Sequence, residues 1–194
     1  MTSGWPEVPA PESVARHLLV AAPQMADPNF SRTVVFMVEH NDDGALGIVL
    51  NRPSHTPPDE LREEWGSFVH APAVVFVGGP VQVGEATIAL GRVARVEPSD
   101  AWQPLLGRVG SIDLADGPGE AHPHLEALRV FSGYAGWGPG QLDDELARGG
   151  WHVLDADPDD LLTPSPSGLW RHVLRRQGGT LAMAANQPTN PNVN

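Results

Sequence analysis

Three short stretches of this chain carry residue types that could do chemistry. Glu39-His40-Asn41 follows the apolar run Val34-Val35-Phe36-Met37-Val38. An unperturbed histidine titrates near neutrality, so His40, or Glu39 beside it, is a candidate acid or base. Neighbours in an extended chain point to opposite sides; one of the two would face a cleft while the other supports the turn. The plainer use of His40 and Asn41 is to satisfy backbone groups of that turn. Gly78-Gly79-Pro80 ends a second apolar run, where successive backbone N–H groups could hold an anion or merely form a tight exit. The third stretch is Gly133-Tyr134-Ala135-Gly136-Trp137-Gly138-Pro139-Gly140-Gln141-Leu142. Glycine costs backbone entropy, so it clusters where φ is positive or where backbones approach closely. Tyr134 and Trp137 would stack on a planar ligand or enter the core. Gly140 and Gln141 open a helix whose first N–H groups are free for an anion. The ligand-binding set expected from these stretches is Asn41, Gly78, Gly79, Tyr134, Trp137, Gly140 and Gln141. They would meet in one cleft for a small anionic or planar ligand.

Other chemistries are excluded by composition or spacing. The chain has no cysteine and no lysine; all 12 basic residues are arginine. Thiol nucleophiles, disulfides, thiolate metal sites, Schiff bases and a P-loop lysine are therefore absent. Ser132 lacks the glycines two residues before and after it that a nucleophile elbow needs. Gly136-x-Gly138-x-Gly140 lacks the βαβ setting of a dinucleotide fingerprint. His122 and His124, with Glu120 and Glu126, have no fixed third ligand, and Asp155, Asp157, Asp159 and Asp160 lack the glycine and distal glutamate of a calcium loop. No metal and no cofactor are expected. The net charge of −12 disfavours direct DNA binding, and the one basic cluster, Arg171, His172, Arg175 and Arg176, reads as a solvated helix side.

The elements that must position these residues follow from apolar periodicity. Strands are expected over residues 17–22, 32–39, 45–51, 73–77, 86–90, 109–114, 128–131 and 151–154. Helices are expected over 57–65, 98–106, 120–128, 142–148, 159–162 and 168–176. Residues 40–44 read as a hairpin connection with Gly44 at the left-handed position. Residues 1–13 are expected to be disordered and 14–194 to form a single domain. No apolar run approaches the roughly 18 residues of a membrane span, and the polar start lacks a basic segment followed by an apolar one. A cytoplasmic protein without membrane attachment is expected.

Three blocks resemble the AlgH/YqgE family of bacterial proteins. They are HLLVAAPQMADPNFSRTVVFMVEHNDDGALGIVLNRP over residues 17–53, VFVGGPVQ over 75–82 and VFSGYAGWGPGQLDDELARGGW over 130–151. The closing NPNVN over 190–194 is similar as well, and Leu46 stands where many members carry methionine. The resemblance implies an α+β fold: a mixed, largely antiparallel, partly barrel-like β-sheet with flanking helices. It implies no established activity, only a regulatory label. The function expected is that of a small-ligand-binding or regulatory protein. The alternatives are a small hydrolase or isomerase using Glu39 or His40 as base, and a module in which Tyr134 and Trp137 anchor a protein partner.

Overall fold

Apolar alternation resolves into two open sheets rather than one curved one. A computed structural model of the chain describes residues 13–58, 63–115 and 117–187. The N-terminal segment expected to be disordered, apart from Ser13, lies outside the described residues, as do Asp59, Glu60 and the 190–194 ending. The first sheet has the order β10-β1-β2-β3-β9, built from Trp151–Asp155, His17–Ala21, Val34–Asn41, Gly44–Val49 and Ala135–Trp137, all antiparallel. The second has the order β4-β8-β5-β7-β6, built from Phe76–Val77, Leu125–Ser132, Thr87–Val93, Val109–Ile112 and Trp102–Leu106. Its β4–β8 pair is parallel and the rest antiparallel. The fold is mixed α+β, as expected, but neither sheet closes into a barrel: β9, β10, β4 and β6 remain edges.

Both sheets are covered on both faces, which explains why β1 and β2 read as almost continuous apolar runs. Leu18, Val20, Val34, Phe36 and Ile48 of the first sheet meet Phe76, Leu90, Val109 and Phe131 of the second in one core. Helix α5 (Leu169–Gln177) adds Leu169, Trp170, Val173 and Leu174, a helical spacing that lays one face on this core. The opposite face of the first sheet carries Leu19, Val35, Met37 and Val49 beneath α3 (Gln141–Ala147). The opposite face of the second gathers Val93, Trp102, Leu128 and Val130 with Trp65 of α1 (Glu63–Gly66) and Ala121 of α2 (Pro118–Ala121).

Two expected helices are in large part strands. Residues 102–106 form β6, whose hairpin with β7 turns at Gly107 (φ +56°); Trp102 is buried there and donates Nε1 to Gly91 O at 2.9 Å. The stretch 120–128 stops being helical before Pro123, which lacks a donor, and becomes β8 from Leu125. The helix expected over 159–162 is the short α4 (Pro158–Leu161), and the chain gains α6 (Gly179–Ala184).

Candidate functional site

An open groove forms where the two sheets are stitched together. Past β3 the chain runs antiparallel to β4: Val77 N donates to Arg52 O at 2.8 Å, Ser54 N to Val75 O at 2.9 Å, and Val75 N to Thr56 O at 2.9 Å. Past β4, Gly78 O turns back to accept from Val49 N of the first sheet at 2.8 Å. Asn51 fixes the other wall, because its Oδ1 accepts from Val34 N and its Nδ2 donates to Arg32 O, both at 2.9 Å. An Asx turn, Asn29 N to Asp27 Oδ1 at 2.8 Å, shapes the 27–29 loop above it. The groove between these segments holds about 510 Å³ and is lined mainly by valine and proline, with Asn29, Arg52 and Gly79 as the polar contributors.

Arg52 is the group that gives this groove chemical character. Its Nη2 donates to Ser31 O at 2.6 Å, and no carboxylate among the described residues pairs with it. The Asn29 side chain makes no hydrogen bond among the described residues, and neither does the Gly79 N–H. A half-buried cation, an amide and a backbone donor thus border an apolar trough, a surface suited to a ligand with an anionic head and an apolar body. Sequence reasoning quoted Asn51 and Arg52 only inside a longer block. A polar Asn-Arg-Pro triplet directly after an apolar strand was the signal that could have found them.

Two of the three expected stretches share this corner. A Cβ on Gly78 would collide with Gly133 O, and one on Gly79 with the Tyr134 carbonyl, so the two glycine segments cross backbone to backbone. Val81 and Tyr134 then exchange both N–H···O bonds at 3.0 Å. Gly79 faces the groove, whereas the half-exposed Tyr134 is not among the residues lining it.

The remaining residues gather at the other end of β3, about 17 Å away along six strand residues. There Glu39 Oε1 accepts from Asn41 Nδ2 at 2.8 Å, and Asn41 Oδ1 accepts from Asp43 N at 2.8 Å, so both residues build the hairpin turn. The His40 side chain is only 7% exposed. Its Nδ1 accepts from Val14 N at 3.2 Å, which places the neutral ring's proton on Nε2, 3.6 Å from Asp143 of α3. Trp137 is buried: its ring stacks on Phe30 at 5.9 Å and meets Trp151 edge-on at 6.1 Å. Glu145 accepts from Trp137 Nε1 at 3.0 Å, Trp151 Nε1 at 2.9 Å and Gln141 Nε2 at 3.2 Å. The Gln141 Oε1 in turn accepts from Gly138 N at 3.1 Å, and Gly140 takes φ +71° to admit the chain into α3. The seven residues expected in one cleft are therefore divided between two ends of the first sheet.

The metal and nucleic-acid constellations also find places. No group of three or more metal-ligating side chains occurs among the described residues. His122 is buried edge-on to Trp102 with Nδ1 accepting from His124 N, and His124 pairs with Glu97 at 3.2 Å. Asp157 caps α4 by accepting from Asp159 N at 2.9 Å. Asp160 grips Arg176 with two contacts of 3.0 and 2.7 Å, which raises the already high Arg176 pKa. Arg175 is bonded to Asn186, so half of the basic cluster is engaged within the chain. No helix is long and apolar enough to cross a membrane among the described residues.

Comparison with known proteins agrees with this architecture. The family profile described as AlgH-like matches residues 18–182. A UPF0301 protein of Streptomyces coelicolor is 44% identical over 195 residues, covering 99% of this chain and 100% of its own. One from Streptomyces avermitilis is 45% identical with the same coverage of 99% and 100%. A crystal structure from Corynebacterium diphtheriae superposes with a TM-score of 0.83 at 30% identity, covering 91% of this chain and 94% of that one. The solution structure of the AlgH protein from Pseudomonas aeruginosa gives 0.65 at 31% identity, covering 97% and 98%. By sequence along nearly its whole length, and by fold, the chain belongs to the AlgH-like family, for which no activity is established.

Proposed function

We propose that the protein binds a small ligand with an anionic head and an apolar body in the Arg52 groove, and that it acts as a cytoplasmic regulator through that ligand. The observation that carries this reading is a half-buried guanidinium without a carboxylate partner among the described residues, set at the margin of a valine- and proline-lined trough of about 510 Å³. Asn29 and the Gly79 N–H would orient the head group, and Val49, Val77 and Val83 would receive the body. This keeps Gly78 and Gly79 from the expected binding set, with Gly78 shaping the wall. Tyr134 supports the wall by its backbone pairing with Val81. Trp137, Gly140, Gln141 and Asn41 hold the far end of the sheet in this reading. Acid–base chemistry at Glu39 or His40 has no geometric support beyond the residue types. Direct DNA binding remains disfavoured by the net charge of −12.

The test is mass spectrometry of small molecules released from purified protein after denaturation. The wild type is expected to release a substoichiometric to stoichiometric anionic compound, and Arg52→Gln to release much less. Equal amounts from both proteins would sink the reading. Cell fractionation checks the compartment.

A further inference from the structure

Strand β8 carries one residue that its surroundings do not explain. Ala127 and Phe131 enter the core between the sheets, while Leu128 and Val130 enter the outer core. Strand alternation places Arg129 with Ala127 and Phe131 on the inner face. It is 1% exposed. Its guanidinium lies 4.4 Å over the Phe76 ring, and Nη2 donates to Ala71 O at 2.7 Å. The N–H groups of Nε and Nη1 are buried without an acceptor among the described residues. Burial pushes Arg129 down to about 10, and no acidic group among the described residues offsets it.

An imidazole and a second guanidinium stand close by. The 69–70 segment runs alongside β8, bridged at Val69 and Leu128, and His70 N donates to Leu128 O at 2.7 Å. His70 is held below the ordinary histidine range by burial first, then by the charges of Arg129 and Arg92. Arg92 has ion pairs with Glu126 at 3.9 Å and Asp159 at 3.5 Å, yet its buried Nε N–H also lacks an acceptor.

A buried charge without a counter-charge is strongly disfavoured. The Phe76 face and the Ala71 carbonyl reduce that cost but leave the charge in place. Water would supply acceptors without neutralising it. An oxyanion supplies both, through short charge-assisted hydrogen bonds.

We propose that Arg129, Arg92 and His70 form a buried oxyanion site, separate from the Arg52 groove, that takes a small carboxylate or phosphate beneath the 70–74 segment. Arg129 provides the unmatched N–H groups, and Phe76 orients the guanidinium plane. Arg92 adds a second cation, and the half-buried His70 forms the outer margin. Ala71 is exposed, and its carbonyl is the single hydrogen-bonded cover over the guanidinium among the described residues. Entry exchanges that one bond for bonds to the anion.

The experiment is calorimetric titration of the full chain with inorganic phosphate and, separately, with acetate. Chloride holds the ionic strength constant, so that non-specific salt effects are matched. A saturable one-to-one heat with one of the two is expected, and the responding anion identifies the class. Arg129→Met should abolish that heat. If that variant does not fold, His70→Gln, at a half-exposed position, should weaken binding about tenfold, the effect of one hydrogen bond to a charged group. Arg52→Gln should leave the heat unchanged. No saturable heat with either anion overturns the proposal. So does heat that survives Arg129→Met or is unaltered by His70→Gln, or heat lost in Arg52→Gln alone, which would place the anion in the groove instead.

Discussion

The two ends of strand β3 use the same residue types for opposite purposes. At the Val49 end, Gly78, Gly79 and Gly133 let two backbones cross; beside them Arg52 is bonded only to Ser31 O, and the Asn29 side chain has no hydrogen bond among the described residues. At the Gly44 end, Trp137, Gln141 and Glu145 satisfy one another, and little polar capacity remains. A glycine- and aromatic-rich stretch therefore does not by itself leave polar groups free. What separates the ends is whether the polar groups they position already have partners.

That contrast can be broken by substitution. Gly79→Ala should be the most damaging change, costing about 3 kcal/mol or more, because the new Cβ meets the Tyr134 carbonyl and φ is +153°. Gly140→Ala, with open space around it, should cost only about 1 kcal/mol, the penalty for the left-handed conformation at φ +71°. Denaturant melts of the two variants compare them directly, and equal losses would contradict the crossing at the Val49 end. Glu145→Ala should cost about 2 kcal/mol, since it leaves two tryptophan N–H groups and an amide without their acceptor. His40→Ala should follow at about 1 kcal/mol, with loss of the Val14 N–H bond. Arg52→Gln should change stability least, by under about 1 kcal/mol, while removing the groove's charge.

Acid sharpens the picture in a different way. Burial depresses both His70 and His152, so the unfolded chain binds protons that the folded chain resists. Stability should fall as pH drops through the ordinary histidine pKa near 6.5. His152→Gln should flatten part of that slope in melting temperature measured from pH 7.5 to 5.5. A slope unchanged in that variant would mean that His152 does not contribute.

Much of the fold was legible because the strands β1, β2 and β3 carry their own periodicity. The errors fell where local pattern and tertiary pairing disagree. Residues 102–106 contain a proline and sit near polar neighbours, yet Gly110 and the buried Trp102 draw them into a hairpin. The site was only half legible. Gly78 and Gly79 announced a close approach, but nothing local distinguishes Arg52 from a surface arginine. Its lack of a carboxylate partner among the described residues is a property of what the rest of the chain places around it. Arg129 was hidden for the same reason: a lone arginine in an apolar strand resembles an edge charge until Phe76 and the Ala71 segment cover it.

Strand β1 lies between β2 and β10, and β3 lies between β2 and β9. Residues 17–21 thus wait for residues 151–155, and 44–49 wait for 135–137. During synthesis the first three strands emerge early as an apolar ribbon with both edges unpaired, and the partners for those edges arrive only with the last third of the chain. A ribosome stalled after Ser132 would display that ribbon to chaperones and to other nascent chains. Loss of the last third of the chain would leave both edges of the ribbon without their partners, which no single replacement does.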